Sequence, residues 1–281
     1  MKKIRMWKWL SLFAATILFI SWVVWGNTAL EINEYEIKSD KIPDAFEGFR
    51  IAQISDLHNT EIGGENAKLL SMLKDAEPDI IVITGDIIDS YHTDIDVALQ
   101  FIEKVVKIAP CYYVTGNHEA RLLSEDYLSF EKKMKEDGIC VLHDETVRIE
   151  RDGEYILLGG IDDPSFASRF YDVAYSDLSS HIGEIFEEAE FQILLSHRPE
   201  LFSEYVDAGV DLVFSGHAHG GQFRIPFIGG VVAPNQGFFP KYDAGLFVED
   251  GTNMIVSRGI GNSIIPLRFN NRPEIILIML N

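Results

Sequence analysis

Past residue 43 the chain repeats one grammar. Short β-rich apolar runs, RIAQISDLH, DIIVITGD, CYYVTGNHE, FQILLSH and DLVFSGH, are separated at first by stretches of helical period near 65–76, 94–107 and 124–137, and a further helix is expected over 199–209. This is the order of βαβ units. After His219 the pattern changes to Gly- and Pro-rich loops, with strands expected near 246–250, 254–258 and 274–280, read as antiparallel closure of a second sheet. An α/β domain with two packed sheets follows. Each apolar run ends in polar or titratable residues, and ligands of open α/β sheets bind beyond the carboxyl ends of strands, so five strands are expected to deliver side chains to one place.

The N-terminal pattern differs. From Trp9 to Leu30 there is no charged residue, and 22 helical residues reach about 33 Å, enough to cross a hydrocarbon core. Trp7, Trp9, Trp22 and Trp25, all the tryptophans of the chain, lie toward the two ends of this run, where amphipathic rings favour the headgroup region. Lys2, Lys3, Arg5 and Lys8 precede it, and Glu31, Glu34, Glu36 and Asp40 follow with only Lys38 and Lys41 among them. The positive-inside rule then places the N-terminus in the cytoplasm and the main domain outside, as a single-pass protein of the cell membrane. A cleaved signal peptide is the rival, but WGNTALEI, with bulky Asn27 and no A-x-A triplet, is a poor cleavage site. A buried core helix would leave the tryptophan placement and the charge step unexplained. The expected organisation is a membrane anchor over 1–30, a juxtamembrane lead-in over 31–48 and one domain over 49–281.

Composition narrows the partners. The net charge is −20, and because the first ten residues are basic the remainder is more acidic still. Such a surface repels a phosphate backbone, so nucleic acid is not expected as a partner. Cys111 and Cys140 are too few for a disulfide framework and lack C-x-x-C spacing. They read as core thiols, with a single bridge left open because both begin neighbouring strands.

The strand ends carry the chemistry. Asp56 and His58 lie two apart, and on an extended segment such side chains point the same way. Gly85 allows a sharp exit for Asp86, whose two oxygens suit a bridge between two cations. Asn117 and His118 follow the third strand, His197 the fourth, and His217 and His219 the fifth. Five of the eight histidines thus sit directly after apolar runs, beside Asp and Asn, which is the ligand chemistry of a mixed nitrogen and oxygen metal site. His92, His143 and His181 read as surface histidines without a role.

The ordered set D-x-H, GD, GNHE, a lone H after an apolar run, and GHAH resembles the calcineurin-like metallophosphoesterase superfamily, over about residues 50–219. HGGQFRIP, APNQGFFPKY, SRGIGNS and PLRFNNRPEI are similar to its membrane-associated bacterial branch, related to lipid-phosphate hydrolases of the UDP-diacylglucosamine diphosphatase kind. The resemblance implies an α/β fold, a four-layer α-β-β-α sandwich of two mixed sheets, here preceded by one N-terminal transmembrane helix. It implies that Asp56, His58 and His219 bind one metal, that Asn117, His197 and His217 bind the other, and that Asp86 bridges both. Two divalent ions per subunit, Mn, Fe, Zn or Ni, suit imidazole and carboxylate, and hydroxide bridging them is the nucleophile the family implies. His118, not spent on a metal, is the candidate to protonate or hydrogen-bond the leaving oxygen; the alternative is an orienting role.

The substrate is less determined. Residues 217–239 and 251–273 contain no Asp or Glu but carry Arg224, Arg258, Arg268 and Arg272, whose planar forks suit an anionic headgroup, or which are hairpin arginines. Apolar pieces in the same stretches, FIGGVV, GFF and SIIPL, either border an acyl-chain groove or belong to the core. With the anchor, they point to a phospholipid or lipid-linked phosphoester or diphosphate. A broad-specificity phosphodiesterase or phosphatase on soluble extracytoplasmic nucleotides is the nearest rival; a catalytically silent binding protein and a nuclease are weaker ones. The oligomeric state is not read from the sequence.

Overall fold

A computed structural model of the chain describes residues 2–175, 177–186, 191–262 and 267–281. Helix α1 (Lys2–Thr28) leads into strand β1 (Glu31–Ile37), β2 (Arg50–Ile54), α2 (Ala67–Asp75), β3 (Ile80–Thr84), α3 (Ile95–Val105), β4 (Cys111–Val114), α4 (Ser124–Asp137) and β5 (Cys140–Val141). The hairpin β6 (Glu145–Arg151) and β7 (Glu154–Gly160), α5 (Pro164–Tyr171), α6 (Leu178–Ile185), β8 (Gln192–Leu195), α7 (Phe202–Asp207) and β9 (Leu212–Ser215) follow. Two short hairpins come next, β10 (Arg224–Ile225) with β11 (Gly229–Gly230) and β12 (Val232–Ala233) with β13 (Gly237–Phe238), and then β14 (Gly245–Glu249), β15 (Thr252–Val256) and β16 (Glu274–Leu280).

Two mixed six-stranded sheets result, in the orders β1-β16-β2-β3-β4-β5 and β14-β15-β9-β8-β7-β6. Strands β2 to β5 run parallel in one and β7, β8, β9 and β15 in the other. The central strands are largely apolar on both faces because both are covered, although Gln53 of β2 is buried there with its amide donating to the Thr84 hydroxyl and the Ser215 carbonyl, each at 2.9 Å. In β3, Ile81 and Ile83 pack outward with Leu69, Phe101 and Met134 of the helices, while Ile80 and Val82 pack inward with Phe214, Ile193 and Ile276 of the facing strands. Val213 and Met254 meet Ile182, Phe202 and Tyr205 on the far side. The layers are helix, sheet, sheet, helix, and each fully buried Leu, Ile or Phe contributes about 1.5–3 kcal/mol.

The C-terminal strand departs from the expected closure. Only β14 and β15 extend the second sheet; β16 crosses to the first, antiparallel to β2 and parallel to β1. A run such as EIILIML, buried except at Met279, fits either sheet by period alone, and pairing decides. Residues 31–37, read as a lead-in, form the edge strand beside it. Cys111 and Cys140 do begin neighbouring strands, and both thiols are free.

Helix α1 is long and apolar enough to cross a membrane over Met6–Thr28, and only 6% of its most apolar stretch is covered by the rest of the chain, which excludes a core helix. Its C-terminal end is clipped to the domain. The Asn27 amide donates to the Arg268 carbonyl at 2.9 Å and accepts from the Arg268 N–H at 2.7 Å. Trp22 meets the Phe269 ring edge-on at 4.7 Å, and Arg272 lies over Trp25 while donating to the Ala29 carbonyl and pairing with Glu31.

His143, assigned no role from sequence, is half-buried and ties the layers together. Its Nδ1 lies 2.9 Å from Asp162, beyond β7, and its Nε2 3.3 Å from Glu131 of α4. Burial opposes charge on this ring, but Asp162 and Glu131 override it and lift its pKa to about 9. Because the folded value stands above the ordinary 6.5, the stabilisation is complete below pH 6.5 and is lost as pH rises through 9. Urea titrations across this window should show the parent losing stability on the order of 2 kcal/mol, whereas His143→Gln should be less stable at pH 6 and nearly flat between pH 6.5 and 9. An unchanged slope in the variant would refute the assignment.

Candidate metal centre

All five predicted strand ends meet at the seam between the sheets. β2, β3 and β4 bring Asp56, His58, Asp86, Asn117 and His118 from one sheet, and β8 and β9 bring His197, His217 and His219 from the other. All eight are buried. The donor atoms of Asp56, His58 and His219 gather at one point and those of Asp86, His197 and His217 at a second, with a third, overlapping group of His58, Asp86 and His118 between them. The first group holds His219 Nε2 at 3.3 Å from Asp56 Oδ1 and 3.2 Å from His58 Nε2. In the second, His197 Nε2 lies 3.2 Å from Asp86 Oδ2, which is also 3.7 Å from His58 Nε2 and so stands between the groups.

The side chains converge for a reason other than strand alternation. Asp56, His58, Asp86, His217 and His219 all have φ between 45° and 63°, the left-handed region that β-carbons disfavour. The strands stop at Ile54, Thr84 and Ser215, and the ligands lie on coiled turns beyond them. In consequence His217 and His219 serve different groups, as the resemblance implies. Strain of this kind costs about 1–3 kcal/mol per residue and persists where surrounding contacts over-determine it. Here they do: the His217 N–H donates to both Asp56 oxygens at 3.1 and 3.2 Å, the Ser55 hydroxyl donates to Asp56 at 2.5 Å, and the His118 N–H donates to Asp86 at 2.7 Å. Gly85, at φ 80°, must be glycine, since a β-carbon would stand 2.6 Å from the Gly116 nitrogen.

Glu119, noted in sequence only as the tail of GNHE, is the hidden support. Its buried carboxylate accepts N–H groups of Asp86, Ile87 and Gly116 at 2.8–2.9 Å, and of Ile88 at 3.3 Å, joining the turns after β3 and β4.

The donor set fits divalent metal ions. Burial holds His58 down to about 3 and His217 and His219 well below the ordinary imidazole range, so all three present lone pairs at neutral pH. His197 Nδ1 donates to the Thr84 carbonyl at 2.7 Å, which fixes its tautomer and aims Nε2 at Asp86. Burial opposes its charge, but Asp86 lifts it to about 10, so metal binding there competes with a proton. Burial raises Asp56 to about 6. The Asn117 Oδ1 atom is buried without a hydrogen-bond donor, as a ligand oxygen would be.

A cavity of about 480 Å³ opens over Asp86, Asn117, His118 and His217, walled in part by Arg121 and Arg198. Neither arginine was anticipated. The Arg198 guanidinium pairs with Asp163 in a two-pronged contact, donates to Ser165 at 3.1 Å and reaches His217 Nε2 at 3.2 Å. The four arginines expected to hold a headgroup have protein partners instead: Arg258 meets Glu31 and Glu274, Arg272 meets Glu31, Arg224 meets Asp243 at 3.0 Å, and Arg268 is buried against the Gly261 and Arg258 carbonyls, 3.5 Å from His219 Nδ1. Of the other histidines, His92 is exposed beside Asp89 and His181 pairs with Asp144 at 3.2 Å.

Comparison with known proteins agrees with this geometry. Residues 49–221 match the family described as calcineurin-like phosphoesterase. The chain is 33% identical over 264 residues to the uncharacterised metallophosphoesterase YkuE of Bacillus subtilis, covering 89% of this chain and 85% of that one. It is 27% identical to the phosphodiesterase YaeI of Escherichia coli, covering 83% and 82%. It is 28% identical to a transmembrane protein with metallophosphoesterase domain of Danio rerio, covering 96% of this chain and 62% of that protein.

Two substitutions separate holding metal from moving protons. Asp86→Asn, which weakens both groups at once, should lose phosphodiester hydrolysis and lower metal per chain in elemental analysis. His118→Ala should keep its metal and slow turnover roughly 10²-fold. Full metal content and activity in Asp86→Asn would sink the shared-carboxylate assignment.

Proposed function

The chain belongs to the calcineurin-like phosphoesterase family and is a metal-dependent phosphoester hydrolase; we propose that its substrate is a phosphoester or diphosphate of a phospholipid or lipid-linked molecule, as in the lipid-phosphate branch of the family. The observation that carries this reading is the clip between α1 and the domain. Asn27 holds the backbone of Arg268, and the Arg268 side chain reaches His219, so the end of an apolar helix and a ligand of the first group share one residue. A centre tethered this closely to a bilayer meets lipid phosphates at high effective concentration. In this reading residues 1–30 anchor the chain with its N-terminus in the cytoplasm, 31–48 are juxtamembrane, and 49–281 act outside the cell membrane.

Asp56, His58 and His219 would hold one ion and Asn117, His197 and His217 the other, with Asp86 available to both. Divalent ions bound there, Mn, Fe, Zn or Ni, supply Lewis-acid chemistry at neutral pH. The chain supplies the rest. His118 Nδ1 accepts the Ser90 N–H at 3.1 Å, so its own proton sits on Nε2, available to the leaving oxygen. Burial lowers the pKa of His118, which keeps the ring neutral and the proton on that one nitrogen. Arg198, oriented by Asp163, and Arg121 supply cations to the cavity wall, suited to the non-bridging oxygens of an anionic ester.

The test is a substrate panel. The full chain in mixed micelles with Mn should hydrolyse a lipid phosphate or lipid diphosphate more efficiently than nucleotides, and a chelator should abolish the activity until Mn is restored. Ready cleavage of bis-aryl phosphodiesters and nucleotides with no turnover of any lipid phosphate would overturn the lipid reading in favour of soluble extracytoplasmic phosphoesters.

A further inference from the structure

The two hairpins that follow His219 have an unusual outer surface. Phe227 is fully exposed, Phe238 is 77% exposed, and Ile228 and Phe239 are exposed beside them. Covering such side chains is worth about 1.5–3 kcal/mol each, and a cluster of them marks a contact surface. Residues 217–239, which carry the whole cluster, hold no acidic residue in a chain of net charge −20.

The hairpins and the apolar helix stand on one loop. The Arg224 N–H donates to the Phe269 carbonyl at 2.9 Å, and the Gln222 amide donates to the Leu267 carbonyl at 2.7 Å. The same Phe269 ring receives Trp22 of α1, and Asn27 pairs with Arg268 between them. A bilayer entered by α1 therefore lies beside these hairpins. Their other side faces the reaction: Pro234 and Asn235, between β12 and β13, wall the same cavity as His118 and His217.

We infer that the β10–β11 and β12–β13 hairpins form a second membrane contact, setting Phe227, Ile228, Phe238 and Phe239 into the headgroup region of the bilayer that α1 enters, with the cavity rim at Pro234 and Asn235 turned toward lipid. The inference rests on the lipid reading above for its consequence and on the apolar cluster for its substance. The one acid against β10 and β11, Asp243, is paired with Arg224, and aromatic rings suit the bilayer interface.

The test uses the full chain reconstituted in phosphatidylglycerol–phosphatidylcholine vesicles, with nitroxide labels on Phe227→Cys, Phe238→Cys and, as a control on α4, the exposed Leu128→Cys, in a Cys111→Ala/Cys140→Ala background. Labels at 227 and 238 should be more accessible to oxygen than to a nickel chelate, and the label at 128 the reverse. Phe227→Ser/Ile228→Ser should lower turnover of vesicle-borne lipid phosphate about tenfold and leave hydrolysis of a soluble bis-aryl phosphodiester unchanged. Labels at 227 and 238 that behave like the one at 128 overturn the contact, as does dipolar coupling between two copies without lipid depth. If the labels report lipid depth while the parent turns over no lipid phosphate, the contact stands and the substrate reading falls.

Discussion

The centre depends on one buried contact, the Glu119 carboxylate gathering the N–H groups of Asp86, Ile87, Ile88 and Gly116. Those groups belong to the turns after β3 and β4, where the chain leaves regular pairing and its amides would otherwise be buried without partners, at a cost of about 1–3 kcal/mol each. Satisfying them fixes Asp86 in its left-handed conformation, and Asp86 in turn orients His118 and faces His197 across the seam. Glu119 is held under tension by the same arrangement. Burial and the nearby Asp86 raise it to about 7, while the amides it accepts favour its charge.

Much of this was legible because a parallel strand buried on both faces leaves little place for a polar side chain except its end. Asp56, His58, Asp86, Asn117, His118, His197, His217 and His219 could therefore be picked out as one constellation before any pairing was known. The conformation of that end was not legible. Period-two alternation explains a common direction for Asp56 and His58 only if the strand continues, and it stops at Ile54. Glu119, Arg198 and Asp163 were missed for a related reason: their importance lies in contacts across 30 residues or more, such as Glu119 to Asp86 and Arg198 to Asp163. The placement of β16 and β1 failed likewise, since hydrophobic period reports that a strand is buried but not which neighbour it pairs with.

The arginines show how composition misleads when charge is counted along the chain. Acid-free stretches look like anion sites, yet Glu31 and Glu274, brought in from β1 and β16, neutralise Arg258 and Arg272. What this ionic cluster does is cement the loop on which α1 is clipped. Arg268 completes the link, buried so deeply that its pKa falls to about 10, with its donors directed to the Gly261 and Arg258 carbonyls. Helix α1, the loop and the first ligand group thus form one continuous packed unit.

Attraction of an anionic substrate is then a matter of local balance. The domain is acidic, and a phosphoester approaching it is repelled at long range. Inside the cavity Arg198 is already paired with Asp163, and Asp86 and Glu200 add negative charge. Arg121 and His197, which Asp86 keeps charged, offset these, so the cavity by itself carries no clear excess of positive charge. Divalent ions, for which the donor set is shaped, would add the positive charge that draws a phosphoryl group. Substrate binding and metal binding are linked through the same few carboxylates, and the acidity of the domain sharpens that linkage.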